Sequence, residues 1–245
     1  MNPLFFGTGA RRLFGVYAPG SAGTLTARAA VICYPWGPEY LRAHRSMKHL
    51  STRLARSGLH VLRFDYFGTG DSAGEMTEGD LRGWEDDVET AIDEVKDMTG
   101  AERVALIGLR LGGTLAARVA TRRSGDVGDV VLWDPIVDGR AYVRSLLLMN
   151  AGLGLPRKPA DSRELVGFAV SDRFIEELEA IDLSAALRAM PARSLVLLTD
   201  EPALRDAGAS TVEHVESPSA WVEHRSTGVG AIPVRAIDRV VDWLE

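Results

Sequence analysis

Apolar and polar positions follow two periods along this chain, and the switches between them lay out its elements. Short apolar runs at Leu4 to Phe6 and Leu13 to Ala18, parted by Gly7-Thr8-Gly9-Ala10-Arg11-Arg12, predict an antiparallel hairpin at the sheet edge. Ala27 to Tyr34 and Leu59 to Phe67 are longer runs without polar alternation, the pattern of strands covered on both faces. Between them Leu41, Met47, Leu50, Leu54 and Ala55 predict a helix over Leu41 to Ser57, closed by Gly58. Leu81 to Met98 reads as an amphipathic helix with Asp80 as N-cap and Gly100 beyond its end. Val130 to Trp133 and Ser194 to Leu198 read as strands, and either Thr211 to Val215 or Trp221 to Arg225 supplies the last one. Pro233 to Leu244 reads as a terminal helix with Pro at its first position.

From Ile136 to Met190 the alternation of strand and helix is suspended. Tyr142 to Met149 and Arg173 to Ile181 carry helical patterns, joined by a Gly- and Pro-containing loop from Gly152 to Pro159. The span 136–190 therefore reads as a helical, cap-like insertion over the sheet edge, inside one domain covering 1–245. Strands alternating with helices imply an α/β fold, a mostly parallel sheet wound on both faces with function at the carboxyl ends of the strands. That places Tyr34 to Tyr40, Asp65 to Ser72, Arg110, Asp134 and Asp200 around one crevice.

Composition narrows the function classes. With 245 residues, 46% hydrophobic and 25% charged, the chain can bury a sizeable single core. A formal charge of −6 and the absence of a basic block argue against nucleic-acid and anionic-membrane partners. The first residues have neither a basic n-region nor an apolar h-region, and no run is long enough to span a membrane, so a soluble cytoplasmic protein is expected. The one cysteine, Cys33, allows no internal disulfide and no multi-thiolate metal site, and in its apolar run it reads as a small core residue. Neither metal nor cofactor is expected.

The densest chemical signal is Val104 to Ala120, where a buried strand enters Gly108-Leu109-Arg110-Leu111-Gly112 and a helix of small and branched residues follows directly. The glycine-rich turn Gly68-Thr69-Gly70-Asp71-Ser72-Ala73-Gly74 has neither a Gly-Lys-Ser/Thr nor a Gly-x-Gly-x-x-Gly register, so Asp65 and Asp71 read as turn caps and not as parts of a phosphate loop.

The strand-turn-helix, together with Glu39-Tyr40, His44-Arg45, Leu62-Arg63-Phe64-Asp65-Tyr66-Phe67-Gly68-Thr69-Gly70-Asp71-Ser72 and Leu132-Trp133-Asp134-Pro135, resembles α/β-hydrolases. Within them the chain is similar to the serine aminopeptidase-like or exosortase-system-associated group. The resemblance implies the α/β-hydrolase fold, with a Gly-x-Ser-x-Gly elbow, an acid, a histidine and an oxyanion hole. In that frame Arg110 stands at the serine position, Asp200 at the usual acid position, and Asp134 at the other place for an acid. The loop Ser226 to Ile232, where the histidine is expected, holds none, and His224 lies just before it. An oxyanion pocket is still expected from the Leu111 N–H and a backbone N–H near Trp36.

A guanidinium cannot serve as nucleophile. At the start of a helix it also needs an anion beside it, and Glu39, Asp134 and Asp200 are the candidates. Arg110 is then either half of an internal ion pair or a clamp for the carboxylate, phosphate or carbonyl of a ligand. Trp36, Tyr40 and Tyr142, with Leu146 to Met149, are candidate walls of an acyl pocket, and His44 is a candidate crevice base. The expected function is a hydrolase-fold protein without hydrolase chemistry that binds a small acyl or carboxylate ligand or a carrier-protein-bound intermediate. The resemblance implies a biosynthetic setting for it. The alternative is an enzyme of altered mechanism, a slow thioesterase or esterase, an acyltransferase or a lyase, with Arg110 as clamp and Asp200, Asp134 or Glu39 as acid/base. A homodimer is left open.

Overall fold

The computed structural model describes residues 1–21, 27–152, 163–190, 193–199, 211–217 and 231–245. The strands β1 (Asn2–Thr8) and β2 (Arg11–Ala18) form the expected hairpin at the edge of an eight-stranded sheet. β2 also pairs antiparallel with β4 (Leu59–Phe64), and every further pairing is parallel. β4 is followed across the sheet by β3 (Arg28–Cys33), β5 (Val104–Leu109), β6 (Val127–Trp133), β9 (Ser194–Leu198) and β10 (Thr211–His214). All six residues of β5 are buried, as a central strand covered on both faces requires.

The helices α1 (Pro38–Arg56) and α7 (Val234–Leu244) pack together, as do α2 (Leu81–Thr99) and α3 (Leu111–Arg122), so the two pairs flank the sheet. This is the α/β-hydrolase fold. Asp80 caps α2 by accepting from the Gly83 N–H at 2.6 Å, and Gly100 ends it in the left-handed conformation at φ 72°. Large side chains such as Trp84, Trp133 and Phe64 lie within the core, each stabilising the fold by about 1.5–3 kcal/mol.

The insertion comprises α4 (Gly139–Gly152), a small hairpin of β7 (Glu164–Leu165) and β8 (Phe168–Ala169), α5 (Asp172–Glu179) and α6 (Ser184–Arg188). It is tied to the sheet domain by polar and aromatic contacts together. Glu177 accepts from the Leu81 N–H at 2.6 Å, and the Phe174 ring lies 5.0 Å from Trp36 and 5.1 Å from Trp84.

Several boundaries differ from the sequence reading. α1 starts at Pro38, because a proline lacking its N–H suits the first helical turn. β4 stops at Phe64, where Asp65 leads the chain into a turn closed by Thr69 N–H to Tyr66 O at 2.9 Å. Pro233 is the N-cap of α7 and Val234 its first residue. The β7–β8 hairpin was not expected, since strands of two residues are too short to show alternation. The last strand is the first of the two alternatives, Thr211–His214. The other, 221–225, and residues 153–159 of the expected loop lie outside the described residues. No helix among the described residues is long and apolar enough to cross a membrane.

Candidate functional site

Between the end of β5 and the start of α3 stands a single residue, Arg110, at φ 53° and ψ −120°. A left-handed φ in a residue with a Cβ is strained, at a cost of about 1–3 kcal/mol, and the surroundings must enforce it. They do so through close backbone approach. A Cβ on Gly108 would lie 2.3 Å from Gly112 O, and one on Gly112 would lie 2.2 Å from Cys33 O, so α3 rests directly on the strands. The Arg110 N–H donates to Trp133 O at 2.9 Å, and Arg110 O accepts from the Gly113 and Thr114 N–H groups. Leu111 opens α3, so its N–H falls in the first turn, where no intrahelical partner exists.

The Arg110 guanidinium is met from three other parts of the chain. Its Nε donates to Glu39 Oε1 at 3.0 Å and its Nη1 to Asp134 O at 3.2 Å, while the guanidinium carbon lies 5.7 Å from the centre of the Tyr142 ring. The Tyr142 hydroxyl donates to the other Glu39 oxygen at 3.2 Å. Glu39 lies in the first turn of α1 and is 4% exposed, whereas the Arg110 side chain keeps 18% of its surface. Burial pulls the Arg110 pKa down, but the Glu39 charge and its hydrogen bond outweigh that and leave it raised. Burial, reinforced by the Glu39 charge, also holds the Tyr142 phenol well above its ordinary range. At neutral pH Tyr142 therefore keeps its proton and Arg110 stays a cation.

Among the described residues, Glu39 supplies the carboxylate that meets Arg110. Asp134, itself at φ 41°, offers its backbone carbonyl and turns its carboxylate to the Thr199 N–H at 2.8 Å and the Thr199 hydroxyl. Asp200, His224 and positions 226–230 of the expected histidine loop lie outside the described residues.

Beside Glu39 in the chain, Trp36, Gly37, Tyr40 and Leu41 line an apolar cavity of about 230 Å³, completed by Tyr66, Met76 and Phe168. The Trp36 indole N–H donates to Met76 Sδ at 3.3 Å, and its ring lies 5.7 Å from Phe168. Tyr142 does not line this cavity. It is committed to Glu39, Leu146 is buried, and Leu147 and Leu148 face outward.

Cys33 is fully buried, and burial pushes its thiol up to about 12 against a smaller opposing effect of the Tyr66 hydroxyl, so it is no nucleophile at neutral pH. His44 stacks on Tyr34 at 6.0 Å; desolvation and the Arg63 charge push its pKa below the ordinary histidine range. Asp65 caps the glycine turn by accepting from the Asp71 N–H at 3.1 Å and also accepts from the Tyr40 hydroxyl at 2.8 Å. Thr199, Met76 and Phe168 were not foreseen, because nothing local marks a residue that meets its partner only across the fold. Arg63 did leave a trace, as the single charge inside the apolar run Val61 to Phe64. Among the described residues no cluster of His, Cys, Asp and Glu could hold a metal ion.

The family described as serine aminopeptidase, S33, matches residues 41–183, more than half of the chain. The chain belongs to that family. No curated protein matches this S33 member. Among solved structures, it is similar to Est1E from Butyrivibrio proteoclasticus with ferulic acid bound, at 15% identity and a TM-score of 0.66, over 86% of this chain and 88% of that one. It is also similar to the thioesterase domain from the curacin biosynthetic pathway, at 14% identity and a TM-score of 0.65, over 100% and 99%. Proline iminopeptidase from Mycobacterium smegmatis matches at 13% identity and a TM-score of 0.64, over 99% and 97%. At these identities the likeness speaks to the fold of the S33 member and not to its chemistry.

Proposed function

We propose that this chain is an α/β-hydrolase-fold protein that binds an acyl or carboxylate-bearing ligand, free or on a carrier protein, without hydrolysing it, as an accessory of a biosynthetic pathway. The observation that carries this reading is Arg110 at the tip of the elbow, where the fold's hydrolases keep a serine, held by Glu39 at 3.0 Å. A guanidinium has no lone pair to offer a carbonyl, and loss of the attacking hydroxyl leaves only the pocket and its N–H groups. In well-studied proteases those retain about 10³–10⁴-fold acceleration over water, far below normal turnover. The apolar cavity beside Trp36 and Tyr40 suits an acyl or aromatic body, and the Leu111 N–H and Arg110 suit its oxygen atoms. Ferulic acid in a neighbour of the same fold makes an aromatic carboxylate a natural first probe.

The test is a turnover screen with p-nitrophenyl esters and acyl thioesters on the wild type and Arg110→Ser, beside a binding titration with ferulate and short-chain carboxylates followed by tryptophan fluorescence. The expected result is background hydrolysis by both proteins and saturable binding by the wild type, weakened about tenfold by the loss of one charge-assisted contact. Wild-type turnover that disappears in Arg110→Ser would overturn the reading and assign an enzyme of altered mechanism, with Asp200, Asp134 or Glu39 as its acid/base group. Absence of saturable binding would remove the ligand from this cavity.

A further inference from the structure

Tyr40 also borders a second cavity, of about 220 Å³, that differs from the first in being lined by charges. Arg63, in the middle of the apolar strand β4, is only 8% exposed. Its Nη1 donates to the Tyr34 hydroxyl at 3.0 Å, while its Nε is buried with no hydrogen-bond partner. Among the described residues no carboxylate forms an ion pair with it. A buried cation with no paired carboxylate among the described residues is unfavourable, and a carboxylate entering from the cavity would relieve it.

The same cavity has an acidic side. Asp65 spends its carboxylate on the Tyr40 hydroxyl at 2.8 Å and the Asp71 N–H at 3.1 Å. Asp71 is exposed, and among the described residues its carboxylate has no cationic partner, although its charge is felt at the Tyr40 hydroxyl. His44 completes the polar lining, and desolvation with the nearby Arg63 charge favours its neutral form. One cation and two anions thus line a small space with no ion pair among them. A simple anion would meet the aspartates, and a simple cation would meet Arg63. A molecule carrying both charges satisfies both sides.

We propose that this cavity binds a small zwitterion of the α-amino acid class, its carboxylate on Arg63 and the Tyr34 hydroxyl and its ammonium toward Asp65 and Asp71. Phe14, Val16 and Phe64 leave an apolar wall for a short side chain. The volume suits a single amino acid. The site is separate from the elbow and does not depend on the reading of Arg110.

The test is isothermal titration calorimetry on the full chain with L-alanine, propionate and ethylamine, using the wild type, Arg63→Gln and Asp71→Asn. L-Alanine is expected to saturate the wild type. Propionate and ethylamine, each lacking one charge, are expected to bind at least about tenfold more weakly, and each variant to weaken L-alanine by a similar factor with an unchanged circular dichroism spectrum. Equal binding of propionate and L-alanine, indifference of L-alanine to Asp71→Asn, or no saturable heat with L-alanine at any soluble concentration would each overturn the proposal. Because Asp71 is exposed, its variant decides the matter even if Arg63→Gln lowers the yield of folded protein.

Discussion

The Arg110 guanidinium and the Glu39 carboxylate, 71 residues apart in the chain, meet at 3.0 Å beneath the carboxyl ends of the central strands. Both are largely withdrawn from water, and the Tyr142 hydroxyl closes the arrangement on the far oxygen of Glu39. The pair joins three parts of the fold: the turn after β5, the first turn of α1 and the inserted helix α4.

Removing one member of such a pair should cost more than removing both. Glu39→Ala leaves Arg110 buried without its counter-charge and is expected to destabilise the protein by about 3–5 kcal/mol. Glu39→Leu combined with Arg110→Met, which replaces both charges by apolar groups, is expected to regain most of that. Urea denaturation of the three proteins measures it, and equal losses in single and double variants would show that the pair is not coupled.

The elbow tolerates no side chain at its glycines. Gly112→Ala would place a Cβ 2.2 Å from Cys33 O and 2.4 Å from Tyr34 O, both backbone atoms that cannot swing aside. The expected loss is about 3 kcal/mol, at the upper end for overpacking, with lowered yield of soluble protein. Gly125→Ala, where an added Cβ meets nothing within 4 Å, is the control and should fold normally.

Asp134 depends on Thr199 for two donors. Thr199→Val removes the hydroxyl and keeps the backbone N–H at 2.8 Å, leaving a buried carboxylate short of one hydrogen bond. A loss of about 1–3 kcal/mol is expected in thermal or urea unfolding. Thr199→Ser, which keeps the hydroxyl, should recover most of it.

Burial raises the Cys33 thiol from 9.0 to about 12, so the folded state holds that proton more tightly than the unfolded chain does. Its stabilising contribution is therefore complete below pH 9 and is lost as the pH rises toward 12, at about 1.4 kcal/mol per pH unit. Tyr34, raised to about 12 chiefly by desolvation, acts in the same direction over the upper part of that window. Stability measured by urea denaturation across this range should fall less steeply in Cys33→Ala than in the wild type. The native thiol should also resist iodoacetamide at pH 8 and react only on unfolding.

Much of this architecture is legible in the residues because it is local. The six buried residues of β5, the Asp80 cap of α2 and the Gly108/Gly112 spacing each depend on neighbours within a turn or a strand, and period and cap chemistry express them directly. That an arginine stands between β5 and α3 is likewise visible in the chain itself. What Arg110 touches is not. The chain alone does not choose between Glu39 and Asp134; the fold brings α1 against the turn and rotates the Asp134 carboxylate onto Thr199. Trp36 and Tyr40 are legible as cavity walls, whereas Phe168, coming from a hairpin of two-residue strands, joins them only across the fold. Periodicity records which face of an element is turned inward, whereas the choice of charged partner is made by side chains distant in the chain, and only packing in three dimensions sets those distances.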